Sequence, residues 1–134
     1  MSKILLILFV FLMTMLVVNT ALCFRPVHRC EASDEWTTQD KVLEAFWLGL
    51  HAFDYLQTSY IATHPDRYWE VNPLLGRHPS LTEVTGYFII GSLLHIWIVD
   101  IVSQEHRKFL QGLAIVVSGT CVFHNFSIGI KMDF

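Results

Sequence analysis

Charge is scarce in this sequence. Only 16% of its 134 residues are charged, against roughly 25% in ordinary soluble domains. The charge present leans acidic, 9 Lys plus Arg against 12 Asp plus Glu for a formal net charge of -3, so no basic face of the kind a nucleic-acid partner needs is available. Cysteine numbers 3, proline 4 and glycine 7, too few for a disulfide scaffold, a collagen-like repeat or a low-complexity chain. The catalytic spacings HExxH, GxSxG and CxxC do not occur. Apolar residues are plentiful instead, at 53% of the chain, with a mean hydropathy of +0.45. A chain of this length allows one domain, and its composition predicts a small integral membrane protein in contact with the lipid bilayer.

The apolar runs and their flanking residues predict an all-α bundle of three or four transmembrane helices. Residues 1-24 open with Lys3, continue through an uncharged run and end on Ala21-Leu22-Cys23. That pattern fits a signal peptide, and equally an uncleaved signal anchor, since about 20 apolar residues span a bilayer. Residues 25-134 form a single helical membrane domain. Thr37-Thr38-Gln39-Asp40 supplies a helix start, and the helix over about 39-62 ends before His64-Pro65, because the residue preceding proline avoids the α region. The segment 63-80 is rich in turn residues. Ser80-Leu81-Thr82-Glu83 reads as a capping box opening a helix over 81-102. The charged stretch Ser103 to Lys108 reads as a short connection to a last helix over 109-130, an uncharged span of about 33 Å at 1.5 Å per residue. Cys23 and Cys30 fall on the exported side, where a disulfide is permitted. Gly86, Gly91, Gly112 and Gly119 suit close helix approach or self-association. The N-terminal segment places the chain as a multi-pass protein of the bacterial inner membrane, residues 25-40 outside and 63-80 inside.

Ionisable groups within such helices are functional candidates by default. Glu44, His51, Asp54 and Thr58 recur on one helical face, and His51 and Asp54 are neighbours one turn apart. The third helix carries His95, and the fourth Ser118, Cys121 and the pair His124-Asn125. Depth along antiparallel helices separates His95 from His124 by roughly 13 Å. The compact set is therefore His51, Asp54, His124 and Asn125. His51, Asp54 and His124 suit a divalent transition metal such as zinc, with Asp54 and Glu70 as catalytic candidates. The same groups suit a proton relay, or simply interhelical hydrogen bonds.

The stretch Asp54-x-x-Gln57-Thr58 followed by Glu70-x-Asn72-Pro73-Leu74 resembles an uncharacterised family of small bacterial integral membrane proteins with an Asp…Thr…Glu-x-Asn-Pro pattern. The resemblance covers about residues 50-76. It implies that Asp54, Thr58, Glu70, Asn72 and Pro73 act together, and it brings no activity with it. Physically, Asn72 can bond its own backbone two residues on and Pro73 fixes the turn, leaving Glu70 to meet the Asp54 face. Two carboxylates so placed need a shared proton, a cation or a histidine. Three functions follow as expectations: a non-enzymatic interaction or accessory protein, with a homo-oligomeric or membrane-protein partner; a hydrolase-like metal-dependent membrane enzyme; or a proton- or ion-pathway subunit.

Overall fold

The computed structural model describes residues 35–130, which form three α-helices and, among the described residues, no strand. The signal region 1-24 and the pair Cys23 and Cys30 lie outside the described residues. Helix α1 spans Thr38–Thr63, α2 Leu81–Ile101 and α3 Gln104–Ser127. Of these, α2 and α3 are long and apolar enough to cross a membrane.

Two of the three starts are local chemistry. The Thr37 hydroxyl accepts from the Asp40 amide at 3.2 Å, while the Asp40 carboxylate accepts from the Thr37 amide at 2.9 Å. Ser80 and Glu83 repeat the arrangement at α2, with the Ser80 amide donating to Glu83 at 2.7 Å. Each box satisfies backbone donors that a helix start leaves open. Helix α1 stops at Thr63, just before His64-Pro65, as expected from the proline.

The third helix departs from expectation. It begins at Gln104 and not near residue 109. Hydropathy ends a span where charge begins, but Gln104, Glu105, Arg107 and Lys108 are good helix formers, and Arg107 is fully buried. The connection between α2 and α3 is therefore only Val102-Ser103, which makes the pair a tight helical hairpin.

Helix α1 is the hub. It packs most extensively on α3, next on α2, and those two touch each other least. Its burial pattern inverts that of a soluble helix. Asp40 and Gln57 are 0% exposed, while Phe46 is 57% and Phe53 45% exposed. The outer faces of α2 and α3 are likewise apolar, carrying Ile90, Leu93, Trp97, Leu113, Val116 and Phe123.

The glycines divide. A Cβ on Gly119 would rest against Leu50 at 3.8 Å and one on Gly91 against His51 at 4.0 Å, both ordinary contacts. Among the described residues nothing lies within 4 Å of a Cβ built on Gly86 or Gly112, so these glycines serve no close approach between the three helices. Replacing either with Ala should raise the unfolding midpoint in detergent, by up to about 1 kcal/mol of helix propensity. A lower midpoint, or loss of a dimer on size-exclusion chromatography, would instead show a second chain packed there.

Candidate functional site

Polar side chains line the inside of the bundle in two groups, one at each end of α1. At the Asp40 end, Arg107 is the centre. Its Nε donates to the Val99 carbonyl at 2.8 Å and its Nη2 reaches the Val102 carbonyl at 3.5 Å, capping the carbonyl-rich end of α2. Its Nη1 lies 3.6 Å from the Asp40 carboxylate, both side chains fully buried. The guanidinium also sits over the Trp36 ring at 5.1 Å, and the Trp36 indole N–H donates to Asp100 at 2.9 Å. One turn along α3, the Gln111 amide donates to the Asp40 carbonyl and to the Glu44 carboxylate, each at 3.0 Å. Glu44 in turn lies 3.5 Å from His95 Nε2.

An aromatic stack continues inward. The Trp47 ring meets His95 at 3.8 Å and His51 at 4.8 Å between centroids. His51 then meets Phe88 at 4.7 Å, with its Nε2 3.4 Å from the Phe88 carbonyl. His51 is thereby engaged with α2 and the Trp47 ring.

The second group lies at the end of the bundle covered by residues 64-80. That segment folds back through two backbone hydrogen bonds and one from backbone to side chain. The Glu70 amide donates to the Arg77 carbonyl at 2.9 Å, the Leu74 amide to the Asn72 side chain at 3.0 Å, and the Gly76 amide to the Asn72 carbonyl at 3.0 Å. Gly76 has a φ of 79°, a left-handed conformation that suits glycine. The turn buries Glu70, whose carboxylate accepts the Asn72 amide at 2.7 Å. Asp54 on α1 receives the Asn125 amide of α3 at 3.4 Å. Thr58 is buried one turn beyond Asp54, and Gln57 beside it reaches the Val122 carbonyl at 3.4 Å.

The structure therefore brings Asp54, Glu70, Asn72 and Asn125 to one end, with Thr58 adjacent, and Pro73 in the turn that presents Glu70. It does not bring His51, Asp54 and His124 together as a zinc site would need. His124 is exposed at the last turn of α3, and its neighbour Asn125 takes the inward position. Among the described residues, no three His, Cys, Asp or Glu side chains converge to hold a metal. Sequence reasoning missed the Arg107, Gln111 and Trp36 contacts, because a span defined by hydropathy assigns Arg107 to a loop. The signal available was the helical register of Arg107 and Gln111, one turn apart.

Comparison with known proteins returned nothing: no family model, curated protein or solved structure matches the chain. The Asp…Thr…Glu-x-Asn-Pro resemblance thus stands on its residues alone.

Removing Arg107 strands a buried carboxylate and two helix-end carbonyls together. Arg107→Met should cost about 3–5 kcal/mol of stability. Asp40→Asn should cost less, since the amide oxygen can still accept from Thr37 and Arg107 keeps its carbonyls. Thermal unfolding of the two variants in detergent reads the difference, and equal or negligible losses would refute the central role of Arg107.

Proposed function

We propose that the chain is a small multi-pass membrane protein, its helices crossing the bacterial inner membrane with polar faces turned inward, and that it acts as a non-enzymatic interaction or accessory protein. The supporting observation is the inverted distribution of side chains. Four of the six largest fully buried side chains are Arg107, Gln57, Gln111 and Asp40, whereas large apolar residues cover the outside of all three helices. In water this arrangement exposes apolar surface and buries charge, both unfavourable. In a bilayer the same surface is solvated by lipid, and polar groups gain by facing one another. Helix α1, which is not among the two helices apolar enough to cross a membrane, is sheltered by its contacts with α2 and α3.

A second reading, handling of protons or ions, has its own support. Asp40, Glu44, Gln57, Glu70 and Gln111 each carry a buried side-chain oxygen without a hydrogen-bond partner. Among the described residues, acceptor oxygens thus predominate over donors such as Ser59 Oγ among the buried polar atoms without a hydrogen bond, which favours a species that arrives with positive charge or donors.

Single-cysteine labelling tests the arrangement. In a background lacking Cys23, Cys30 and Cys121, Asp66→Cys and Ser103→Cys should react with a membrane-impermeant maleimide from opposite sides of the membrane. Ile90→Cys and Val116→Cys, on the lipid-facing surface, should stay unlabelled in intact membranes. Labelling of both end positions from one side would overturn the spanning arrangement. The two readings separate at Asp54→Asn: an interaction protein keeps its association state and partners, whereas an ion-handling protein loses its ion dependence.

A further inference from the structure

We propose that the loop over residues 69–77 lies in the headgroup layer of the bilayer, where Arg77 beside Trp69 binds the phosphate of a phospholipid. The inference deepens the membrane reading above and rests on it.

The loop is closed and anchored from beneath. The Glu70 amide donates to the Arg77 carbonyl at 2.9 Å, and the Gly76 amide to the Asn72 carbonyl at 3.0 Å. Glu70 itself is buried, its carboxylate accepting the Asn72 amide at 2.7 Å. The side chains left outside are largely apolar: Trp69 is 58%, Val71 67% and Leu74 50% exposed. In water that surface is unfavourable. It continues along the chain into Leu81, 48% exposed, at the first turn of α2. Because α2 is long and apolar enough to cross a membrane, chain continuity holds the loop at the boundary where that helix begins. Indole rings favour this boundary, with an apolar body in the hydrocarbon and a polar edge in the wet layer.

The charges of the segment select the ligand. The Arg77 guanidinium stands over the Trp69 ring at 5.8 Å, and among the described residues it forms no ion pair. Of the nearby acids, Glu70 is turned inward, and Glu83 accepts from the Ser80 amide at 2.7 Å and hydroxyl at 2.8 Å. Asp66 is exposed, as is Arg67 beside it. The segment is therefore no basic patch that requires an anionic surface. It offers one guanidinium whose donors meet no carboxylate. At the depth of an interfacial tryptophan the abundant anion is the lipid phosphate, whose oxygens match the guanidinium fork. The indole beside it restricts the arginine side chain and so lowers the ordering cost of binding. The phosphate group itself is the ligand, so a zwitterionic phospholipid suffices.

Two measurements on the full chain test the seat of the loop and its ligand. In phosphatidylcholine nanodiscs, the emission of Trp69 is the difference between wild type and Trp69→Phe. A lipid carrying a nitroxide near its headgroup should quench that share more strongly than acrylamide in the water does. Leu74→Cys bearing a nitroxide, in the cysteine-free background, should report the same shallow depth by power saturation, with every tryptophan in place. Quenching by acrylamide alone would put the loop in water, and quenching by neither would mean that another protein surface covers it. Both overturn the proposal. Phosphate recognition is read by thermal unfolding in maltoside detergent with added lipid. Phosphatidylcholine should raise the wild-type midpoint more than a diglucosyl lipid with the same acyl chains. Arg77→Gln should gain equally from the two lipids, and Arg77→Lys should keep part of the difference. Equal gains in wild type, or an undiminished difference in Arg77→Gln, overturn the phosphate contact. So does a matching gain from inorganic phosphate, which would mean a soluble ligand. The maleimide labelling of Asp66→Cys and Ser103→Cys reads the spanning arrangement separately, so a spanning bundle whose Trp69 stays in water overturns this site alone.

Discussion

The buried guanidinium of Arg107 is the constraint around which the rest is arranged. A helical hairpin with a two-residue link leaves the last carbonyls of its first helix pointing at the start of its second. In water those carbonyls would be solvated. Here Arg107 donates to Val99 and Val102, and its charge then requires an anion in the same dry space, which Asp40 supplies at 3.6 Å. Asp40 is also the residue that closes the capping box of α1. One side chain thus joins the end of α2, the beginning of α3 and the beginning of α1. The crossing of all three helices at that end follows from it.

From there the interior is a chain of dependencies. Gln111 can bridge the Asp40 carbonyl and Glu44 only because Arg107 fixes the register of α3 against α1. Glu44 and the Trp47 ring then locate His95, and the same ring locates His51 against Phe88. In the membrane setting proposed above, such contacts are individually modest, on the order of 1 kcal/mol. Their alternative, a polar group left unsatisfied in hydrocarbon, costs several kcal/mol, and that difference gives the seam its specificity.

Much of this was legible in the sequence where the physics is local. The boxes at Thr37-Asp40 and Ser80-Glu83 are complete within one turn, so four residues are enough to read them. The turn at Asn72-Pro73 and the inward path of Glu70 are equally local. Rise per residue sufficed to bring Asp54 level with Asn125, because both lie on long regular helices. Rotation was the harder quantity. Adjacent residues on a helix differ by about 100°, so of His124 and Asn125 only one can face inward, and hydropathy does not choose between them. The start of α3 was missed for a related reason. Arg107 looks like a loop residue until the carbonyls it serves, on another helix, are known.

The two ends of the bundle resolve the same problem differently. At the Asp40 end each of the two buried acids, Asp40 and Glu44, has a base beside it, so these groups can be understood as structure. At the other end the hydrogen bonds alone do not call for acids. The Asn125 amide would bond an asparagine at 54 as readily as an aspartate, and the Asn72 amide would bond a glutamine at 70. Either amide would make the same contact without a charge to desolvate, and without the mutual repulsion of two carboxylates. Carboxylates at both positions therefore add a cost that packing and hydrogen bonding leave uncompensated. Among the described residues no lysine, arginine or histidine forms an ion pair with either of them. The covering segment creates that imbalance, because its turn is what buries Glu70.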